Sequence, residues 1–558
     1  LVRTGSRDRR ASRSMILLLL GLAAALGRWL LGKRQELDEN GKPLHPIEKL
    51  EHAPNNYELA SSISFILPVV EWFNRLEDRP AFAWLLKAKD MAEWYTPDVP
   101  LGWIFRLLNK ADHLLWACTG MRIVNMDRSG FLAKCKVLEK PKYKQCEDDP
   151  SAEGFRLMLD ACDDEHISAT GRMMLNQLMN GWLDTRVAID NYCHSHPEVL
   201  DVPIKRPIII IGCPRTASTF MHKLLAQDPN LRKPHFWELA IPSPPPDPAT
   251  YDSDPRRNLV ATGFKSFDAI SPHFYTDVHK HHYFGVDEIE EDSVLVHYAG
   301  VLAMHGIAFR GDSPYLAWQR RTDNKEAAYR VHKKVLQILS LRYRQPVQWL
   351  LKAPTIHSCF LEQMLKVYPD ACLVVTHRRP VEVLPSWCKF VLSPMCSTLW
   401  RHGVKQRFLS TKSREQLELF ERIERTIAKV RATRFGAQMF DVGYEELMAN
   451  PMDVVRRCYA HFDLALTEPA RESMERFIAG RGTGHQNKKF GKVSTQQHAD
   501  FLDHAGLDLD DVSERLRLAA LPPADSAAAP GARAGTEARA GARKPNGAAA
   551  ATGRAEGA

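Results

Sequence analysis

The 558-residue chain contains no C-x-x-C pair and no N-x-[ST] sequon, and its eleven cysteines are scattered and odd in number. A disulfide scaffold and conventional N-glycosylation are therefore not expected. Charge of one sign is also scarce where it would matter. The formal net charge is +8, but residues 1–34 carry +7 of it and residues 519–558 carry +2, which leaves the body at −1. A near-neutral body excludes a globally basic nucleic-acid binder, so any anion site must be local. No internal repeat is present. Apolar runs of membrane-spanning length are lacking as well. Met15–Gly27 is 13 residues long, behind Arg3, Arg7, Arg9, Arg10 and Arg13, and reaches 18 only by taking in Arg28 to Gly32. That length fits a signal-peptide core or a marginal anchor in which Arg28 snorkels. Two outcomes follow for residues 15–32. A signal or anchor predicts a membrane-anchored or lumenal, Golgi-like location, and the alternative is an amphipathic organelle-targeting or surface helix, the latter leaving the chain cytoplasmic.

What is present is concentrated in residues 207–220. Ile208 to Ile211 form a β-branched run too short for a helix, which fits a strand buried on both faces. Gly212 and Pro214 end it, and the turn that follows holds Arg215, Thr216, Ser218 and Thr219. Met221 to Leu225 resume at helical spacing. A strand–turn–helix with a cation and hydroxyls in the turn suits a phosphate, because free N–H groups and the helix dipole face the anion. The nucleotide-hydrolase loop G-x-x-x-x-G-K-[ST] does not fit: Ala217 and Ser218 stand where its second glycine and its lysine would be.

Residues 347–390 repeat this grammar. Val347 to Leu351 reads as a strand ended by Lys352-Ala353-Pro354, His357 to Val367 as an amphipathic helix, Ala371 to Thr376 as a buried strand, and the stretch after His377-Arg378-Arg379-Pro380 as a helix through Ser386. This βαβ unit implies a parallel sheet, with Arg378 at a strand's carboxyl end, where ligands of open α/β sheets bind.

Pro214-Arg215-Thr216-Ala217-Ser218-Thr219 resembles the 5′-phosphosulfate loop P-[KR]-[ST]-G-[ST]-T of the sulfotransferases that use 3′-phosphoadenosine-5′-phosphosulfate (PAPS). Ala217 replaces the usual glycine, at a cost of about 1 kcal/mol if the position needs positive φ. Arg378 and Ser386 resemble the family's 3′-phosphate clamp. Arg379 stands where the family often has Asp, and is either an added anion ligand or a solvated charge. Phe440 to Leu447, followed by Asn450-Pro451, resembles the late strand and Y-E-x-L segment, in which Tyr444 is either close to the adenine or a core residue. Gly484 to Gly491 resembles the basic C-terminal loop. The likeness spans roughly residues 150–495 and is nearest the branch with bacterial and Golgi-type members.

The resemblance implies an α/β fold: a P-loop three-layer sandwich with a central parallel sheet, preceded by a helical N-terminal region. The expected organisation is a leader at 1–34, a helical lead-in at 35–200, the sulfotransferase domain at 201–518 and a low-complexity tail at 519–558. Trp72, Trp84, Trp94, Trp103 and Trp116 lie in the lead-in, and Ala169 to Ile189 reads as one helix. The implied donor ligands are Arg215, Thr216, Ala217, Ser218, Thr219, Phe220, Arg378, Ser386 and Tyr444. Arg215, which stays charged, would clamp the bridging oxygen or the 5′-phosphate. Lys352 either shares that role or is a surface lysine.

For the base, the segment Trp237-Glu238, followed by Pro242-Ser243-Pro244-Pro245-Pro246, resembles the family's W-E-x…P-x-P-P. Glu238 stands 23 residues after Arg215, and desolvation beside Trp237 would raise its pKa. Histidine bases would come from His279, His281 or His282, a run that also resembles a metal tract although the chemistry requires no metal. The acidic run Asp287 to Asp292 either orients the acceptor or is a solvated helix face. The expected activity is sulfuryl transfer from PAPS to an acceptor hydroxyl or amine, releasing PAP. The acceptor is a small molecule, carbohydrate, lipid or protein, and no nucleic-acid partner is expected. The rival readings are a P-loop kinase or NTPase and a non-catalytic PAPS-binding relative.

Overall fold

The computed structural model describes residues 102–271, 285–303, 305–343, 347–392, 399–400, 404–480, 502–503 and 505–521. Five strands, β1 (Ile208–Gly212), β2 (Leu231–Arg232), β3 (Gln348–Lys352), β4 (Cys372–His377) and β5 (Met439–Gly443), form one sheet. Its order is β2-β3-β1-β4-β5 and every pairing is parallel. The chain leaves β1 toward one edge and leaves β4 toward the other. The carboxyl ends of β1 and β4 therefore flank a topological switch point, where open α/β sheets form their binding crevice. Register aligns these two ends: Gly212 lies opposite Thr376, and His377 opposite Gly443.

The β-branched run dictates the layering. Side chains alternate across a strand, so Ile209 and Ile211 enter one core while Ile208 and Ile210 enter the other. The first core also receives Leu351, Leu373 and Val375, and the second Leu350, Val374 and Val442. Helices cover both faces, and the expected three-layer α/β sandwich is what forms.

The lead-in contributes helices Trp103–Thr119, Arg128–Val137, Ser151–Cys162 and Ala169–Ser195. The last extends six residues beyond the expected Ile189. The first core runs without a break from Met126 through the sheet to Leu516, so residues on both sides of the expected 200/201 boundary share it. Buried Arg186 fastens the two parts polarly. It pairs with Asp190 at 2.6 Å and Asp149 at 3.1 Å and donates to the Tyr298 carbonyl at 3.2 Å. The segment expected as one helix from His357 to Val367 is two, Pro354–Cys359 and Leu361–Val367, because Phe360 leaves helical geometry at φ −123°. The leader, Trp72, Trp84, Trp94, the histidine run at 279–282, the basic loop at 484–491 and residues 522–558 lie outside the described residues. Among the described residues no helix is long and apolar enough to cross a membrane.

Candidate active site

The loop after β1 is built from backbone geometry that few residues accept. Gly212 has φ +123°, and a Cβ there would stand 2.4 Å from the Thr376 carbonyl oxygen, so only glycine fits. Ser358 grips both of its polar groups, accepting the Gly212 N–H at 2.9 Å and donating to the Gly212 carbonyl at 3.1 Å. Arg215 and Ala217 both take the left-handed region, at φ +68° and +67°. Alternation of this kind curls successive N–H groups toward one point, which makes an anion-binding concavity. The position that holds Ala217 does require positive φ. The helix Ser218–Leu225 starts there without a side-chain cap, so its first N–H groups face the same point.

The hydroxyls of this loop divide into two kinds. Thr216 is buried, donates to the Cys213 carbonyl at 2.7 Å and shares a 2.6 Å bond with Thr376 Oγ1. Its hydroxyl braces the loop against β4, so a phosphate would be met by the Thr216 N–H and not by its side chain. Thr219 Oγ1 instead accepts from Lys352 Nζ at 3.1 Å. Ser218 is buried at the helix start, and the half-buried Phe220 stacks on Phe477 at 6.1 Å between ring centroids.

The cations converge on this loop. Arg215 donates from Nε to Ser386 Oγ at 3.1 Å and lies 5.7 Å from the Phe390 ring. Arg378 donates to the Arg215 carbonyl at 3.5 Å and to Glu382 at 2.8 and 3.0 Å, and its guanidinium lies 4.0 Å from the Tyr444 ring centre. Arg215, Arg378, Ser386 and Tyr444 therefore share one crevice at the switch point. Ser386 meets Arg215 and not Arg378, a pairing that sequence spacing did not indicate. Burial and the neighbouring charge of Arg378 push the Arg215 guanidinium down to about 10. It remains a cation at neutral pH, in a place where a bound anion would relieve both effects. Arg379 is exposed, 66% at its side chain, and its ion-pair partner among the described residues is Glu382 at 3.5 Å. Lys352 is 1% exposed and pairs with Glu291 at 2.7 Å, so it is not the surface lysine of the alternative reading.

Glu238 departs from expectation. Its carboxylate is fully buried, paired with Arg232, and accepts the His235 N–H at 3.0 Å as a capping box of the short helix Phe236–Ala240. Arg232 is itself boxed by Trp349 and Tyr343, at 5.0 and 4.8 Å. Burial alone would raise the Glu238 pKa, but Arg232 and the His235 bonds outweigh it and hold the group at about 2. The expected upward shift is thus corrected. A carboxylate this acidic, with both oxygens engaged, is a structural pin and a poor proton acceptor.

The acidic run 287–292 is not a solvated helix face. Ile289 bridges to His235, and Asp292 is completely buried. Asp292 Oδ1 accepts the Lys352 N–H at 2.8 Å, and Oδ2 accepts from His332 Nε2 and His357 Nε2, each at 2.7 Å. The other ring nitrogens meet Tyr368 OH at 2.7 Å and Tyr329 OH at 3.1 Å. Burial would raise the Asp292 pKa, yet the two imidazoles hold it well below the usual range. Although these three residues could group around an ion, two contacts of 2.7 Å to one oxygen are hydrogen bonds. Sequence reasoning named the acidic run 287–292 without singling out Glu291 or Asp292, and it missed His332, His357 and Ser358 as site residues. The available signals were the acidic run and the two polar residues just after Lys352-Ala353-Pro354.

Known proteins similar to this chain are sulfotransferases. The model described as "Sulfotransferase family" matches residues 207–468. The omega-hydroxy-beta-dihydromenaquinone-9 sulfotransferases Stf3 of Mycobacterium bovis and Mycobacterium tuberculosis are each 25% identical over 321 residues, covering 54% of this chain and 74% of theirs. Among solved structures, sulfotransferase STF9 from Mycobacterium avium superposes with a TM-score of 0.59 at 26% identity, covering 69% of this chain and 94% of that one. Sulfotransferase STF1 from Mycobacterium tuberculosis H37Rv gives 0.57 at 27% identity, covering 70% and 98%.

Proposed function

Since the chain belongs to the sulfotransferase family and is an enzyme of sulfuryl transfer, we propose that its donor is PAPS and its acceptor an alcohol on a small or lipid-like molecule. The observation that carries the donor reading is the convergence of Arg215, Arg378 and the left-handed loop at the switch point. A 3′,5′-bisphosphate needs two cationic grips a few ångströms apart, and a bidentate guanidinium is the suitable grip. In this reading the 5′-phosphosulfate lies on the loop N–H groups and the helix start, with Arg215 and Lys352 beside it. Arg378 and the Tyr444 ring take the 3′-phosphate and the adenine side. Sulfuryl transfer resembles phosphoryl transfer in depending on alignment and charge stabilisation, which these cations supply.

The acceptor class follows from the Stf3 relatives, whose name specifies an omega-hydroxylated menaquinone derivative. A long apolar molecule with a terminal hydroxyl is the corresponding class here. The kinase alternative loses its support, because the loop has no lysine at the position where nucleotide hydrolases carry one. Thermal-shift titration tests the donor: PAP is expected to raise the melting temperature through linkage and ATP to leave it nearly unchanged. Arg215→Ala and Arg378→Ala should each weaken PAP at least tenfold, as loss of one charged grip implies. Stabilisation by ATP alone would defeat the reading.

A further inference from the structure

With Glu238 locked to Arg232, a group to take the acceptor's proton has to be sought elsewhere among the described residues. Other carboxylates around the crevice are committed. Glu382 is held by Arg378, Glu288 by Lys223 at 2.6 Å, and Glu290 accepts the backbone N–H of Glu291. Glu291 differs. Its Oε1 accepts from Lys352 Nζ at 2.7 Å, and that same Nζ donates to Thr219 Oγ1 in the first turn of the loop helix, at 3.1 Å. Its side chain is 23% exposed, against 1% for Lys352 and none for Asp292. Of these three, only Glu291 can be reached from outside. Its placement is also rigid, because the next residue, Asp292, is bonded to the Lys352 amide and to two buried histidines.

We propose that Glu291 is the catalytic proton acceptor, working as a unit with Lys352. The inference rests on the donor reading above. In the step, the acceptor hydroxyl oxygen bonds to sulfur while the bond from sulfur to the 5′-phosphate oxygen breaks. The electron pair of the broken bond stays on that phosphate oxygen, and the hydroxyl proton passes to Glu291. Its arrival cancels the carboxylate charge and ends the ion pair. The Lys352 ammonium, already beside Thr219, is then free to face the negative charge appearing on the phosphate. Products are the sulfate ester and PAP, so atoms and charge balance without any further reactant.

The test uses the full chain and PAPS, with PAP release followed chromatographically in water and with farnesol in detergent micelles, and PAP affinity measured by calorimetry. Glu291→Gln should lower turnover about 10²–10⁴-fold, the range for loss of a general base, while PAP affinity stays within about threefold, since the variant keeps the loop and both arginines. Glu291→Asp should recover part of the rate, which a purely structural residue would not do. Glu288→Gln, a neighbour paired with Lys223 further along the loop helix and with neither Lys352 nor Thr219, should stay within about threefold of the parent in turnover. Turnover in Glu291→Gln close to that of the parent, or a rate loss matched by an equal loss of PAP affinity, would overturn the assignment. A parent chain that does not bind PAP, or binds it and never consumes PAPS, would instead sink the donor reading itself.

Discussion

At the residue scale, a carboxylate's partners decided its role more than its position in a motif. Glu238 sits where the family's glutamate base would be expected, but Arg232, approaching from β2, turns it into half of a buried ion pair. Breaking such a pair by removing one charge costs about 3–5 kcal/mol, and Glu238→Gln is expected to lose that much at pH 7 in chemical unfolding. The pH dependence has a definite sign. The folded pKa of about 2 lies below the ordinary 4.5. The pair's contribution is therefore complete above pH 4.5 and disappears as pH falls toward 2. The gap between variant and parent should narrow over that window; a gap that is constant with pH would exclude the ion pair as its source. Sequence alone could weigh the desolvation of Glu238 by Trp237. It could not bring Arg232 onto the carboxylate, because that contact depends on how β2 meets β3.

At the element scale, the loop after β1 is a junction of three separate segments. Gly212 is held by Ser358 from the helix after β3 and packs on Thr376 at the end of β4, while Thr216 braces to the same threonine. Gly212→Ala adds a methyl with no room and a disfavoured φ, and should cost about 2–5 kcal/mol from overpacking and backbone strain together. It should also weaken PAP binding, because the loop must shift; an alanine variant with parental melting temperature and PAP affinity would contradict this junction. Strand–turn–helix order and the cation were legible here because the β-branched run, the glycine–proline break and Arg215 are local signals. The division of hydroxyls between brace and ligand was not local: it was set by which strand lies beside β1. The His357–Val367 segment shows the same limit, since its apolar periodicity continues across a break that occurs at Phe360.

At the scale of the whole molecule, the helical lead-in and the sheet share one core, fastened by Arg186 and by the Lys334–Asp190 pair at 2.8 Å. Arg186→Met would leave Asp149 and Asp190 without their central cation. Removal of one partner from such a buried cluster costs about 3–5 kcal/mol. If the parts form one unit, the variant should lower the melting temperature of the same single transition that PAP raises. Two separable transitions, only one of them sensitive to PAP, would show independent units instead. Local patterning was enough to specify β1, β3, β4, their parallel arrangement and the loop that carries Arg215, because alternation, turn chemistry and apolar runs act over a few residues. The three-layer sandwich and β5 were implied by the resemblance to sulfotransferases, and the two-residue β2 left no such signal. Only folding decided which distant side chains meet: Arg215 with Arg378 and Ser386, and Lys352 with Glu291. Strand order and register set those encounters, and the resulting charges and desolvation then determine which carboxylate is a pin and which can accept a proton.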